Sequence, residues 1–112
     1  MTGRVPQYDV EWTAEAWTEV HLLRVFERRA VMRAVDELAD QAEVETRNRK
    51  PLSRPIAELP DATWEVRVRS RYRLLYGIRR TAEGETERRT VEILRAIIKG
   101  TDTTERALGK LR

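Results

Sequence analysis

The chain has no cysteine and a single histidine, His21. The first absence excludes a disulfide framework and thiolate chemistry, and the second excludes a histidine-built metal site. No cofactor is therefore expected. No apolar run approaches the roughly 20 residues that cross a bilayer, and the opening MTGRVPQYDVEW lacks the apolar core of a secretory signal. Internal repeats and low-complexity tracts are missing as well. The expectation is a soluble cytoplasmic protein without membrane contact, its 112 residues forming one domain over 1–112, enough for one core and too few for two.

Lysine is also scarce, at 3 residues against 19 arginines, and the formal charge of +3 is unevenly placed. Residues 1–47 hold 6 Arg and 10 Asp or Glu, a net of −4, whereas residues 48–112 hold 16 Lys or Arg and 9 acids, a net of +7. A segregated, arginine-rich half points to a polyanion such as nucleic acid, because the planar guanidinium forms bidentate bonds to phosphate. The competing reading is a solvated surface whose preferred cation is arginine, and charge alone does not separate the two.

Periodicity orders the elements. Gln7 to Trp12 alternates Tyr8, Val10 and Trp12 with polar residues, the pattern of a half-buried strand. Thr13 reads as an N-cap, and Trp17, Val20, Leu22, Leu23 and Phe26 at helical spacing predict a helix from Ala14 to about Phe26. A second helix is expected from about Arg28 to Val44, burying Val31, Ala34, Val35, Leu38, Ala39 and Ala42. The three prolines of NRKPLSRPIAELP predict a connecting loop over 47–60, docked through Leu52, Ile56 and Leu59. Strands follow over about 63–69, 71–80 and 88–99, joined by a tight turn at Ser70 and a longer exposed one around Gly84. Asp102 and Glu105 have capping-box spacing, so a short helix is expected over Thr103–Leu111. The predicted fold class is α+β, in the order β-α-α-β-β-β, with a two-helix hairpin on one face of an antiparallel sheet and a short C-terminal helix.

The stretch WEVRVRSRYRLLYGIRR is the most informative. Trp64, Val66 and Val68 point one way and Glu65, Arg67 and Arg69 the other; Tyr72, Leu74, Tyr76 and Ile78 repeat the scheme against Arg71, Arg73 and Arg79. Arg67, Arg69 and Arg73 are thus expected on the partly open sheet face, within about 5 to 8 Å of one another. Like charges so placed repel unless an anion or an acid relieves them. Glu65 and Glu92 are the candidate internal partners, and an ion-paired sheet surface is the plain alternative to a phosphate site.

Trp64, Arg67, Arg69, the pair Tyr72-Arg73, Tyr76 and the hydrophobic strand ending in IIK together resemble the core of the RelE/ParE superfamily of bacterial type II toxins. The likeness is strongest over Leu59–Lys99, and the element order extends it to most of the chain. The resemblance implies a toxin neutralised by a cognate antitoxin and, in the RelE branch, a metal-independent endoribonuclease that cuts mRNA on the ribosome and inhibits translation. Arg73, Arg67 and Lys99 then match catalytic positions, with Arg73 on the scissile phosphate, while Arg69, Arg71 and Arg106 are candidate nucleic-acid contacts. Three departures stand beside the matches: Gly100 follows Lys99 where a basic residue is usual, no tyrosine follows Tyr76, and Glu65 occupies a lysine position. The first two fit the alternative of a ParE-like inhibitor that acts by binding DNA gyrase. A non-toxic nucleic-acid or protein-binding module on the same scaffold is the third reading.

Other residues carry blander expectations. His21 reads as a surface or core-edge residue; Glu83, Glu85 and Glu87 belong to a polar turn and serve solubility; Trp12, Trp17 and Trp64 read as core anchors, each on the apolar side of its element.

Overall fold

Alternating and helical periodicities resolve into β1 (Asp9–Trp12), α1 (Ala14–His21), α2 (Val25–Gln41), β2 (Arg49–Pro51), β3 (Trp64–Val68), β4 (Tyr72–Glu83) and β5 (Thr86–Ile98) in the computed structural model, which describes residues 7–98. The strands form one five-stranded sheet in the order β1-β5-β4-β3-β2, with β1 parallel to β5 and every other pair antiparallel. The predicted order β-α-α-β-β-β is observed, with one strand added between the second helix and the meander. None of the described helices is long and apolar enough to cross a membrane. The expected helix over Thr103–Leu111 lies outside the described residues.

Thr13 caps α1 as its sequence position predicts: its hydroxyl accepts from the Ala16 amide at 3.1 Å and donates to the Leu94 carbonyl at 2.8 Å, joining helix to sheet. The helix ends at His21 rather than Phe26. Leu22 and Phe26 are therefore outside the core, and Trp17 is exposed as well, against its reading as a core anchor. The chain turns at Leu23 and Arg24 into α2, whose predicted stripe is buried through Val31, Val35, Leu38 and Ala42. These pack on Val66, Val68, Tyr72, Leu74, Tyr76, Val91 and Ile93 from one sheet face, with Trp12 and Trp64 at the margin. Removing one such side chain, as in Leu38→Ala, costs about 2–5 kcal/mol by transfer plus cavity.

The segment predicted as a loop contains β2, for a reason that periodicity does not carry. Arg49, almost wholly buried, sends its guanidinium to the Gln41 carbonyl at 2.7 Å and the Val44 carbonyl at 3.3 Å, so a cation closes the negative end of α2 and pins the edge strand to it. Beyond β2, residues Leu52, Ile56, Leu59 and Ala62 cross the opposite sheet face and pack on Leu75, Leu94 and Ile97, a second small core. Gly77 permits this approach, since a Cβ there would collide with the Asp61 carbonyl oxygen.

The turn around Gly84 is tighter than predicted. Glu83 pairs with Thr86, leaving two residues in the turn, and Gly84 takes φ 63°, the left-handed conformation glycine adopts freely. The β3–β4 turn needs the same backbone but has no glycine: Arg69 and Ser70 sit at φ 53° and 56°. For residues with a Cβ this costs about 1–2 kcal/mol each.

Candidate nucleic-acid interface

β3 and β4 place Arg67 directly opposite Arg73, and Arg73 is in turn opposite Ile97 on β5. Side chains opposed in this way have Cβ atoms about 5 Å apart, so the two arginines leave the backbone side by side on the sheet face not used by the helices. Glu65, expected on the open face, is buried beside them, its carboxylate 4.0 Å from Arg67 Nε, too far for a hydrogen bond. The face is partly covered, as the second core requires, and the arginine pair lies at the end of β3 and β4 nearest their turn. Arg67 and Arg69 also border a hollow of about 260 Å³ at the edge of β3, with Arg33, Thr46 and Asn48 on its other side.

Arg69 and Arg71 do not join Arg73 as the alternation predicted. The turn carries them to the helix side, where with Arg24, Phe26, Glu27 and Tyr72 they line a cleft of about 400 Å³. The wall of this cleft is a buried pair in which the Tyr72 hydroxyl donates to the Glu27 carboxylate. Arg71 Nη1 approaches the same carboxylate at 3.9 Å and lies over the Tyr72 ring at 5.7 Å from its centre. Arg24, Phe26 and Glu27 are missed by sequence reasoning, because a first helix running to Phe26 places that residue in the core and leaves Glu27 in the connection to the second. The only local signal was an arginine where a cap residue belongs.

Toward the β4–β5 turn and beside α1, several arginines are ion-paired. Arg79 bonds Glu11 at 2.9 Å and Glu92 at 2.8 Å, Arg80 bonds Glu43 at 2.5 Å, and Arg88 bonds Asp9 at 2.6 Å. These hydrogen-bonded partners raise the three guanidinium pKa values further, and Arg80 holds the Glu43 carboxyl below the usual carboxylate range. Arg95 is clamped by Glu19 at 2.6 Å on the side of α1. The expected pairing of Glu92 thus falls on Arg79, away from the Arg67–Arg73 pair. Buried Tyr76 donates to the Ala42 carbonyl at 2.6 Å and stacks on Trp64, and burial pushes its hydroxyl pKa up, a structural tyrosine as predicted. His21 is exposed, with Nδ1 2.8 Å from the Trp17 carbonyl. Among the described residues no group of His, Cys, Asp or Glu is arranged to hold a metal. Lys99 and Arg106 lie outside the described residues.

Scans of protein-family models and of curated proteins return no match to this chain. Solved structures do. The two-helix hairpin on a five-stranded mixed sheet is a fold shared with the YoeB/ParE toxin from Agrobacterium tumefaciens at 15% identity and TM-score 0.54, over 82% of this chain and 99% of that one. The toxin-antitoxin complex RelBE2 from Mycobacterium tuberculosis matches at 34% identity and TM-score 0.57, over 85% of this chain and 100% of the matched one. The chain belongs to the RelE/ParE superfamily of toxins from toxin-antitoxin systems.

Proposed function

We propose that the protein is a RelE-like endoribonuclease that cuts mRNA on the ribosome and stops translation, and that a cognate antitoxin restrains it. The observation that carries this reading is the direct opposition of Arg67 and Arg73 on β3 and β4. Paired guanidiniums at that spacing suit a phosphodiester: one holds the non-bridging oxygens, the other offsets the charge that builds as the 2′-oxygen attacks and the phosphorus becomes five-coordinate. Such electrostatic help lowers the cost of deprotonating the 2′-hydroxyl and of releasing the 5′-oxygen without a metal. Arg73 is assigned to the scissile phosphate and Arg67 to the developing charge, with Lys99 as a further basic candidate; Arg69, Arg71 and Arg106 are assigned to the flanking chain. The 34% identity to a member of a RelBE2 complex supports both the RelE branch and the antitoxin.

A second reading, gyrase inhibition by binding, is favoured by Gly100 and by the lack of any tyrosine after Tyr76. Inducible expression in a bacterial host, wild type beside Arg73→Ala, with mRNA 5′ ends mapped by primer extension, separates the two. New cuts within translated frames that vanish in the variant are the expected result. Growth arrest without cuts, with cleavage complexes on purified gyrase, would replace the nuclease reading by the second.

A further inference from the structure

Three local choices in this chain oppose ordinary folding preference, and all three border the cleft between α2 and the β3–β4 turn. Arg24 occupies the N-cap of α2 and makes no capping bond, where Ser, Thr, Asp or Asn would stabilise the helix by about 1 kcal/mol. Arg69 and Ser70 hold left-handed backbone without glycine. Phe26, the single phenylalanine, is 55% exposed on the helix's first turn. Departures from local preference that gather in one place mark function rather than accident. The cleft's charge agrees: Arg24 and Arg69 have no carboxylate within 4 Å among the described residues, and Arg71 has only the Glu27 contact at 3.9 Å.

We propose that this cleft is a nucleotide subsite for single-stranded RNA, in which Phe26 stacks a base, Arg24, Arg69 and Arg71 take the adjoining phosphates, and Glu27 accepts from a base amino group or ribose hydroxyl. The inference rests on the RNA-cutting reading and adds a place where the chain flanking the scissile bond is held. Glu27 selects this ligand over an acidic peptide. A buried carboxylate in the wall repels a second carboxylate but suits a ligand that is anionic at one end and a hydrogen-bond donor at the other; the Tyr72 hydroxyl uses only part of its acceptor capacity. A cleft of about 400 Å³ has room for one nucleotide. The turn that carries Arg69 joins it to the Arg67–Arg73 pair, so one strand can pass from the reacting phosphate to the stacked base.

The test is fluorescence anisotropy of a short fluorescein-labelled, single-stranded oligoribonucleotide of mixed sequence, titrated with the wild-type chain and with Phe26→Ala, Arg24→Ala and Arg80→Ala. Far-UV circular dichroism first confirms that each is folded, as exposed positions predict. Phe26→Ala is expected to weaken binding about 5- to 100-fold, the loss of one base stack. Arg24→Ala should weaken it and lower the slope of log affinity against log salt by about 0.7, one phosphate contact on a single strand. Arg80→Ala should match wild type. Wild-type affinity in both cleft variants overturns the proposal, as does a wild-type chain that binds no RNA at any salt. So does loss in both variants of affinity for an acidic antitoxin peptide with RNA affinity unchanged, which would make the cleft a peptide seat. If Arg73-dependent cuts are mapped while Phe26→Ala binds RNA as wild type, the subsite falls and the nuclease stands. If RNA binding depends on Phe26 and no cuts appear, the subsite stands and the nuclease reading falls.

Discussion

The two hairpins of the central sheet carry similar numbers of arginines and treat them in opposite ways. Toward the β4–β5 turn, Arg79, Arg80 and Arg88 each lie within 3.5 Å of two carboxylates, and the turn itself uses Gly84 where the backbone is left-handed. At the β3–β4 turn, Arg67 and Arg71 stand 4.0 and 3.9 Å from their nearest carboxylates, Arg24 and Arg69 have none within reach among the described residues, and the turn is built from Arg69 and Ser70. One end pairs three of its arginines with carboxylates and gives its left-handed turn a glycine. At the other, Arg24, Arg67, Arg69 and Arg71 have no close carboxylate partner among the described residues, and an anion from outside would relieve their charge. An arginine count therefore says little about nucleic-acid binding until each guanidinium is asked whether the fold has already given it a partner.

This contrast can be broken most sharply at Tyr72. Tyr72→Phe leaves the Glu27 carboxylate buried without its hydroxyl donor, and denaturant unfolding should show a loss of about 1–3 kcal/mol; an unchanged midpoint would mean that water replaces the bond and that the cleft wall is soft. A smaller effect of opposite sign is expected from Ser70→Gly, which removes a left-handed Cβ and should raise stability by about 1 kcal/mol, or roughly 4 °C in Tm. A loss instead would show that the strained turn is held by contacts of the Ser70 side chain. The smallest change belongs to the satisfied end. Arg80→Ala should cost less than about 1 kcal/mol, because its ion pairs are half exposed and screened by solvent. Its signature is in pH. Arg80 depresses the Glu43 pKa in the folded state, so that pairing stabilises the protein above the ordinary carboxylate pKa and is lost as pH falls through the folded-state value. Thermal melts from neutral to acid pH should therefore show a shallower decline in Arg80→Ala than in wild type, and parallel declines would remove Glu43 as the titrating group.

Much of this was legible in the chain. Period-2 alternation from Trp64 to Ile78 gave the strands, their faces and the opposition of Arg67 and Arg73, because side chains opposite in a hairpin follow from where the turn falls. The α2 stripe was equally plain. What stayed hidden depended on partners distant in sequence. No glycine or proline breaks HLLRVFERR, so the end of α1 at His21 was invisible, and with it the exposure of Phe26 and the burial of Glu27. Arg49 looked like one more surface cation in a proline-rich loop until the carbonyls of α2 came into view. Arg69 and Arg71 were assigned by alternation to a face that the left-handed turn does not let them share with Arg73.

Glu19 has a consequence of another kind. Strand β1 covers β5 only as far as Ile93, and three residues further the Glu19 carboxylate accepts from the Ala96 amide at 2.9 Å while gripping Arg95. A side chain thus stands in for the strand that is missing there. Bare sheet borders invite neighbouring molecules to add on, one after another, until a soluble species becomes a fibre or a precipitate. By satisfying that amide with a charged group from its own helix, the protein keeps part of this border from serving as a template for self-association.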